Sequence, residues 1–551
     1  MSAFLSGLRT LLPTRADYRG LRTSWRADLV AGLTVGIVAL PLALAFGVSS
    51  GVGAEAGLIT AIVAGLVAAV FGGSNVQVSG PTGAMVVVLA PIVVLHGVGA
   101  VAVVSLMAGI LVLLAGVLRL GRAVSYIPWP VIEGFTAGIG IIIFLQQVPA
   151  ALGVPAEGHS SNAVVAAWQT VTEADWPGAL FPLAAVVAVA LIMLLLGRFA
   201  PAIPASFVAI LAVSIATALA GSPLPVIGAL PSSLPAPSLP ALDPAMLSAL
   251  AGPAVAVAAL AAIESLLSAR VAATIADTGQ VNADRELFGQ GLASVASGFF
   301  GGMPATGAIA RTAVNVRSGA RTRLSAVIHA LALLLVVLVA APVVGAIPLA
   351  ALSGVLMMTA ARMVAPATIG RVLRSGGSSA AVFAVTLFVT VAFDLVIAVG
   401  IGLAAAAFFA LRALSKMSDA ERDDLPGHPE QGDERIALFT VRGSLFFGAA
   451  DRLIDQISDT PDVEVVILRL SDVQIIDATG ANALSELVGA LERRGATVLM
   501  KGVRPEHRHL LEQLGVITAL RHPNHLFDEL DPALAHAREH IRRGEAGAEH
   551  G

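Results

Sequence analysis

Long uncharged apolar runs dominate the first three quarters of the chain. A helix crossing the bilayer needs about 20 apolar residues. Residues 29–54, 134–156, 176–197, 244–263, 287–310 and 375–393 each predict one such span. Residues 199–242 predict one more span, then a Pro-rich external stretch at 222–244. Residues 324–361 predict two, divided near 342–348. Residues 56–118 are broken by turn residues at 71–77 and 97–99, so three full spans with their loops do not fit comfortably. That stretch predicts two spans and a half-helix preceded by extended chain. About 14 membrane segments result.

Past residue 415 the pattern changes. A polar linker (418–434) leads into strand-like alternation at 436–441 and a short β-rich run at 445–447. A helix at 450–457, strands at 463–470 and 474–476, an amphipathic helix at 481–494, a strand at 497–501 and a helix at 506–514 complete a small α/β pattern. Asp477-Ala478-Thr479-Gly480 joins a strand to the amphipathic helix, and Asp477 or Thr479 can cap it. The expected organisation is an N-terminal segment (1–27), a transmembrane domain (28–415), a linker (416–434), an α/β domain (435–535) and a charged tail (536–551).

Composition sharpens this division. Of 551 residues, 56% are hydrophobic and 13% charged, against about 25% charged in a soluble domain. From Lys416 onward 39 of 136 residues are charged, and before it only 31 of 415. A net charge of −4 leaves no basic patch for a nucleic acid. The chain has no Cys, which excludes disulfides, thiol catalysis and Cys-based zinc sites. No Walker or GxSxG motif is present, so nothing points to an enzyme.

Basic residues orient the segments. With a cytoplasmic N-terminus, Arg9, Arg15, Arg19, Arg22, Arg26, Arg119, Arg122, Arg198, Arg270, Arg285, Arg317, Arg321, Arg323, Arg362, Arg371, Arg374 and Arg412 all fall inside. The outer loops carry Glu55, Glu157, Glu173, Asp175 and Asp243, with Asp394 at an outer helix end. This places both termini in the cytoplasm of a multi-pass plasma-membrane protein. Two charges, Glu264 and Arg311, are left inside the membrane. Residues 29–45 are no signal peptide, for no A-x-A-like site follows them.

The two halves repeat. AGLVAAVFGG (64–73) and ASVASGFFGG (293–302) are each followed by Thr-Gly-Ala, at Thr82-Gly83-Ala84 and Thr306-Gly307-Ala308. They lie seven segments apart, an odd number that inverts the orientation, as in inverted-repeat transporters. Each motif precedes a run too short to cross: 85–95 and 308–318. Pro81 suits a first helical turn, and Ser79 and Thr82 suit caps. Two half-helices would aim their free N–H groups and positive dipole ends at one point, where a small anion binds. Gly83, Ala84, Gly307, Ala308 and Ala310 are small enough to let a ligand reach the backbone. Gly/Pro breaks also kink ordinary helices, although two symmetric breaks favour the site.

Glu264 lies in an apolar stretch (258–267), and Ser268 is at i+4 on the same face. Together they are a candidate for holding Na⁺ or exchanging H⁺; a Glu bonded to backbone or paired with an Arg is the structural alternative. Arg311 adds positive charge beneath the anion, pairs with Glu264, or snorkels. Phe46, after the Pro41 break, covers the site or simply packs. Glu133 fits a structural or gating role.

These residues resemble the SulP family, also called solute carrier family 26. The resemblance rests on DLVAGLTVGIVALPLALAFG (28–47), SGPTGA (79–84), VIEGFTAG (131–138) and GQGLASVASGFFGGMPATGAIARTAVN (289–315). The tail resembles a STAS domain through VVILRLSDVQIIDATG (465–480). The resemblance implies a seven-plus-seven inverted repeat, with a core (segments 1–4 and 8–11) moving like an elevator against a gate (5–7 and 12–14). It implies a homodimer and an anion site between segments 3 and 10. Bacterial members carry bicarbonate with Na⁺, sulfate, or dicarboxylates with H⁺. Here Leu42 follows the Pro where many members have Gln, and Glu264 stands where a sodium-coupled member has Asp. Ala478 replaces the Ser that STAS relatives phosphorylate, which leaves Asp477 and Thr479 as candidate regulatory positions.

The sequence thus predicts a non-enzymatic secondary transporter of a small inorganic or dicarboxylate anion. Its substrate site comprises Phe46, Thr82, Gly83, Ala84, Thr306, Gly307, Ala308, Ala310 and Arg311. Glu264 and Ser268 handle H⁺ or Na⁺, and no other cofactor is expected. A nucleobase carrier of the same fold, a passive anion channel and a membrane-anchored STAS signalling protein are the alternatives.

Overall fold

The computed structural model describes residues 10–548 except 19, 123–126, 156–159, 161, 202, 276–278, 394, 417–418 and 446–462. Arg9, Arg19, Glu157, Asp394 and the helix expected at 450–457 lie outside the described residues. The chain divides into two compact units, Met1–Ala404 and Ala405–Gly551.

The first unit is helical. Its elements are α1 (Leu21–Ser49), α2 (Ala54–Phe71), β1 (Ser79–Gly80), α3 (Gly83–His96), α4 (Gly99–Val117) and α5 (Trp129–Leu152). Next come α6 (Ala163–Glu173), α7 (Trp176–Phe199), α8 (Ala205–Leu219), α9 (Pro244–Ile275) and α10 (Ala283–Phe299). Then follow β2 (Thr306–Gly307), α11 (Ile309–Arg317), α12 (Leu324–Gly345), α13 (Leu349–Met363), α14 (Pro366–Arg374), α15 (Gly377–Ala392) and α16 (Leu395–Lys416), whose residues past Ala404 belong to the second unit. Among the described residues eight helices are long and apolar enough to span a bilayer, and further apolar helices are shorter.

The expected segments each have a helix, with shifted ends. Residues 287–310, expected as one span, divide into α10, a turn and β2, because Gly301, Gly302 and Pro304 interrupt the helix. Pro41 and Pro253 sit inside α1 and α9, which continue past them. The Pro-rich stretch after α8 is pinned to the helix ends: Ile227 N–H donates to the Ile347 carbonyl and Gly228 N–H to the Gly345 carbonyl, both at 3.0 Å.

The N-terminal segment is also fastened. Asp17 accepts from Arg285 Nη1 at 2.8 Å and lies 3.7 Å from Arg323. Arg285 and Arg323 in turn donate to carbonyls at the end of α2 (Phe71, and Ala69 and Gly72), satisfying helix-end acceptors. Asp28 is buried and accepts from the Arg321 and Thr322 amides and the Thr322 hydroxyl.

The second unit contains β3 (Asp419–Asp423), β4 (Ile436–Leu445), β5 (Val465–Ile476), α17 (Ala478–Arg493), β6 (Thr497–Lys501), α18 (Pro505–Gln513), α19 (Val516–Ala519), β7 (Leu526–Phe527) and α20 (Leu530–Ala548). The sheet order is β3-β4-β5-β6-β7, antiparallel between β3 and β4 and parallel elsewhere. Three expectations change. The linker contains β3, whose charged residues suit an edge strand. The two strands at 463–470 and 474–476 are one, β5, since the polar Ser471-Asp472 step sits where the ladder to β4 shifts register. The charged tail expected from 536 continues the helix α20, which starts at Leu530 and packs Ala533, Leu534, Ala537 and Ile541 on the sheet. Its short apolar stripe is masked in the sequence by the charges around it.

Candidate anion-binding site

The two breaks meet. β1 and β2 pair antiparallel, with Ser79 opposite Gly307 and Gly80 opposite Thr306. Each extended pair opens a short helix, α3 and α11, so both N-termini begin on one side of a two-residue ladder. At its two glycines the ladder has no room for a side chain. A Cβ on Gly307 would meet Gln77 Nε2 at 1.7 Å, and Gly80, at φ +152°, would bring one within 2.7 Å of Arg311 Nη1.

The first intrahelical amides are Val86 N–H, donating to the Thr82 carbonyl, and Thr312 N–H, donating to the Ala308 carbonyl. The amides of Gly83, Ala84 and Met85, and of Ile309, Ala310 and Arg311, therefore precede any helical partner. They lie beside a cavity of about 270 Å³ lined by Phe46, Thr82, Gly83, Ala84, Glu264, Ala308, Ala310 and Arg311, with apolar residues of α5 opposite.

Arg311 is 2% exposed. One guanidinium nitrogen donates to the Pro81 carbonyl, and Nη1 has no hydrogen-bond partner. Glu264 lines the cavity and accepts from Thr82 Oγ1 and Thr306 Oγ1, each at 2.8 Å; the two hydroxyls are 3.2 Å apart. One carboxylate thus ties the entrances of both half-helices.

Several expected roles are redistributed. Thr82 occupies the N-cap position of α3 but makes no cap bond, because its hydroxyl serves Glu264. Ser79 is in β1 and accepts from Gln290, and Pro81 precedes the helix instead of opening it. Gly307 N–H donates to Ser265 Oγ and Ala308 N–H to the Val78 carbonyl, so these two amides are occupied. Ser268 is fully buried against Thr312 Oγ1 at 3.1 Å, while Glu264 bonds to the two threonines. Glu133 accepts from its own helix neighbour Trp129. In the second unit Asp477 caps α17 through Gly480 N–H at 2.7 Å, and Thr479 is exposed in the first turn.

Glu264 and Arg311 are not the only buried charges. Glu286 is 1% exposed and accepts from the Gly73 and Ser74 amides and from Gln77 and Gln290. It satisfies the backbone of the first break from behind, and Gln290 continues the network to Ser79. Its place in a polar first turn after the N-cap Asn282 makes it look like an exposed helix start. Helical spacing to Gln290 is the signal that reveals it.

Comparison with known proteins agrees with this architecture. The family model described as Sulfate permease family matches residues 25–386, and that of the STAS domain matches residues 430–533. The chain is 33% identical to "Putative sulfate transporter YvdB" of Bacillus subtilis over 92% of this chain and 97% of that one. It is 31% identical to the bicarbonate transporter BicA of Synechocystis over 93% and 94%. The structure of the murine solute carrier 26 family member A9 anion transporter superposes with a TM-score of 0.82 at 16% identity, covering 98% of this chain and 95% of that one.

Proposed function

This chain belongs to the sulfate permease family, and we propose that it is a secondary active transporter of a small anion of the sulfate, bicarbonate or dicarboxylate class, coupled to H⁺ or Na⁺. The observation that carries this reading is the convergence of two helix starts and the buried Arg311 on one cavity. Such groups recognise negative charge without a metal.

Glu264 supplies the coupling. Its charge and that of Arg311 cancel, so an entering anion meets a carboxylate across the cavity. A proton on Glu264, or Na⁺ held by Glu264, Thr82 and Thr306, removes that repulsion and links cation to anion binding. The similarity to sulfate and bicarbonate transporters supports the first two of these anion classes. Alternating access by movement of segments 1–4 and 8–11 against the rest, plasma-membrane location, cytoplasmic termini and a homodimer complete the proposal. A nucleobase carrier would need hydrogen-bonding side chains at the half-helix starts, where Gly83, Ala84 and Ala308 stand.

Uptake of labelled sulfate, bicarbonate and fumarate into proteoliposomes, with imposed H⁺ or Na⁺ gradients, tests this. One anion should accumulate above equilibrium with one gradient. Uptake that never exceeds equilibrium would leave a passive channel instead.

A further inference from the structure

The second unit holds a histidine cluster that anion transport does not use. His536 and His540 stand at i and i+4 on α20, so both rings leave one helix face. His525 ends a short 3₁₀ turn, Pro523–His525, immediately before β7. The fold brings the three rings together, with centroids 4.9, 5.4 and 5.5 Å apart. One nitrogen of each lies within 4.8 Å of the other two.

Two of these rings carry a buried nitrogen with no hydrogen-bond partner inside the protein. His525 is 3% exposed, yet its Nδ1 makes no hydrogen bond; neither does the buried Nε2 of His536. A buried imidazole nitrogen normally finds a donor or acceptor. The neighbouring cations are already matched: Arg521 by Glu492 at 3.0 Å, and Arg543 by Glu539. His522 also faces the cluster, and its Nδ1 accepts from the Asn524 amide.

We propose that His525, His536 and His540 form a site for a divalent transition-metal ion of the zinc class, with water in the fourth position. Three imidazoles are wrong for Mg²⁺ or Ca²⁺, which take oxygen ligands, and right for Zn²⁺. Tetrahedral zinc with bonds of 2.0–2.1 Å sets its donors about 3.3 Å apart, so the rings must close by up to about 1.5 Å. The ion would clamp α20 onto β7 and the turn before it.

The test uses the full chain in detergent, stripped by chelator and then given Zn²⁺ or Co²⁺. One zinc per chain should survive desalting, and cobalt should show the visible absorption of four-coordinate Co²⁺, displaced by zinc. His536→Ala and His540→Ala should each weaken zinc binding at least 100-fold. His509→Ala, on the exposed face of α18, should leave it unchanged. The cobalt spectrum of the unmutated chain guards against variants that fail to fold. No retained zinc, a six-coordinate cobalt spectrum, or folded variants that bind as well as the parent would overturn the site.

Discussion

Arg311, Glu264 and Asp17 can each be tested by a single substitution. Arg311→Gln should reduce anion affinity about 10- to 100-fold, the worth of a charge-assisted hydrogen bond, measured by anion-dependent thermal shift in detergent. Unchanged binding would remove Arg311 from the site. Glu264→Gln should abolish gradient-driven accumulation while leaving exchange at equal concentrations, and full coupling in this variant would end its proposed role. Asp17 makes a pH prediction. Burial alone would raise its pKa, but the Arg285 hydrogen bond, the Thr14 amide and hydroxyl and the Arg285 charge together bring it from 3.8 to about 2. A folded pKa below the unfolded one stabilises above the unfolded value. The latch to Arg285 and Arg323 is therefore intact at neutral pH and is lost as pH falls from about 4 to 2. Asp17→Asn should cost about 1–3 kcal/mol at pH 7, with most of that difference gone by pH 2, read from protease sensitivity of the N-terminal segment. Glu264 and Arg311 were legible because each interrupts an apolar or small-residue run. Glu286 was hidden because its polar neighbours resemble an ordinary helix start.

At the scale of elements, the half-helices were legible from Gly, Pro and length alone. Their pairing was not, because two-residue strands have no periodicity to detect. The β1–β2 ladder is what aims both helix starts at one cavity, and Gly307 is its narrowest point. Gly307→Ala should displace Gln77 and spread β1 from β2, lowering the melting temperature and transport together. Transport at the parent's rate would show that the ladder tolerates separation. α20 was misread for a related reason. Ala533, Leu534, Ala537 and Ile541 form a correct helical stripe, but small residues among charges carry little hydropathy signal.

For the whole molecule, the absence of Cys makes topology directly measurable. Ser232→Cys, in the proposed external stretch, should react with an impermeant thiol reagent on intact cells. Ser375→Cys, between α14 and α15, should react only after permeabilisation; the reverse pattern would invert the proposed orientation. The membrane division, the segment count, the repeat and the family resemblance followed from sequence by itself. The bilayer makes them legible, since it demands apolar length and sorts charge to one side. Tertiary structure alone decided which polar groups meet: Glu264 with two threonines instead of Ser268, Arg311 with the Pro81 carbonyl, and three histidines brought into one cluster by the return of α20. Those contacts join residues far apart in the chain, and hydropathy is blind to pairing.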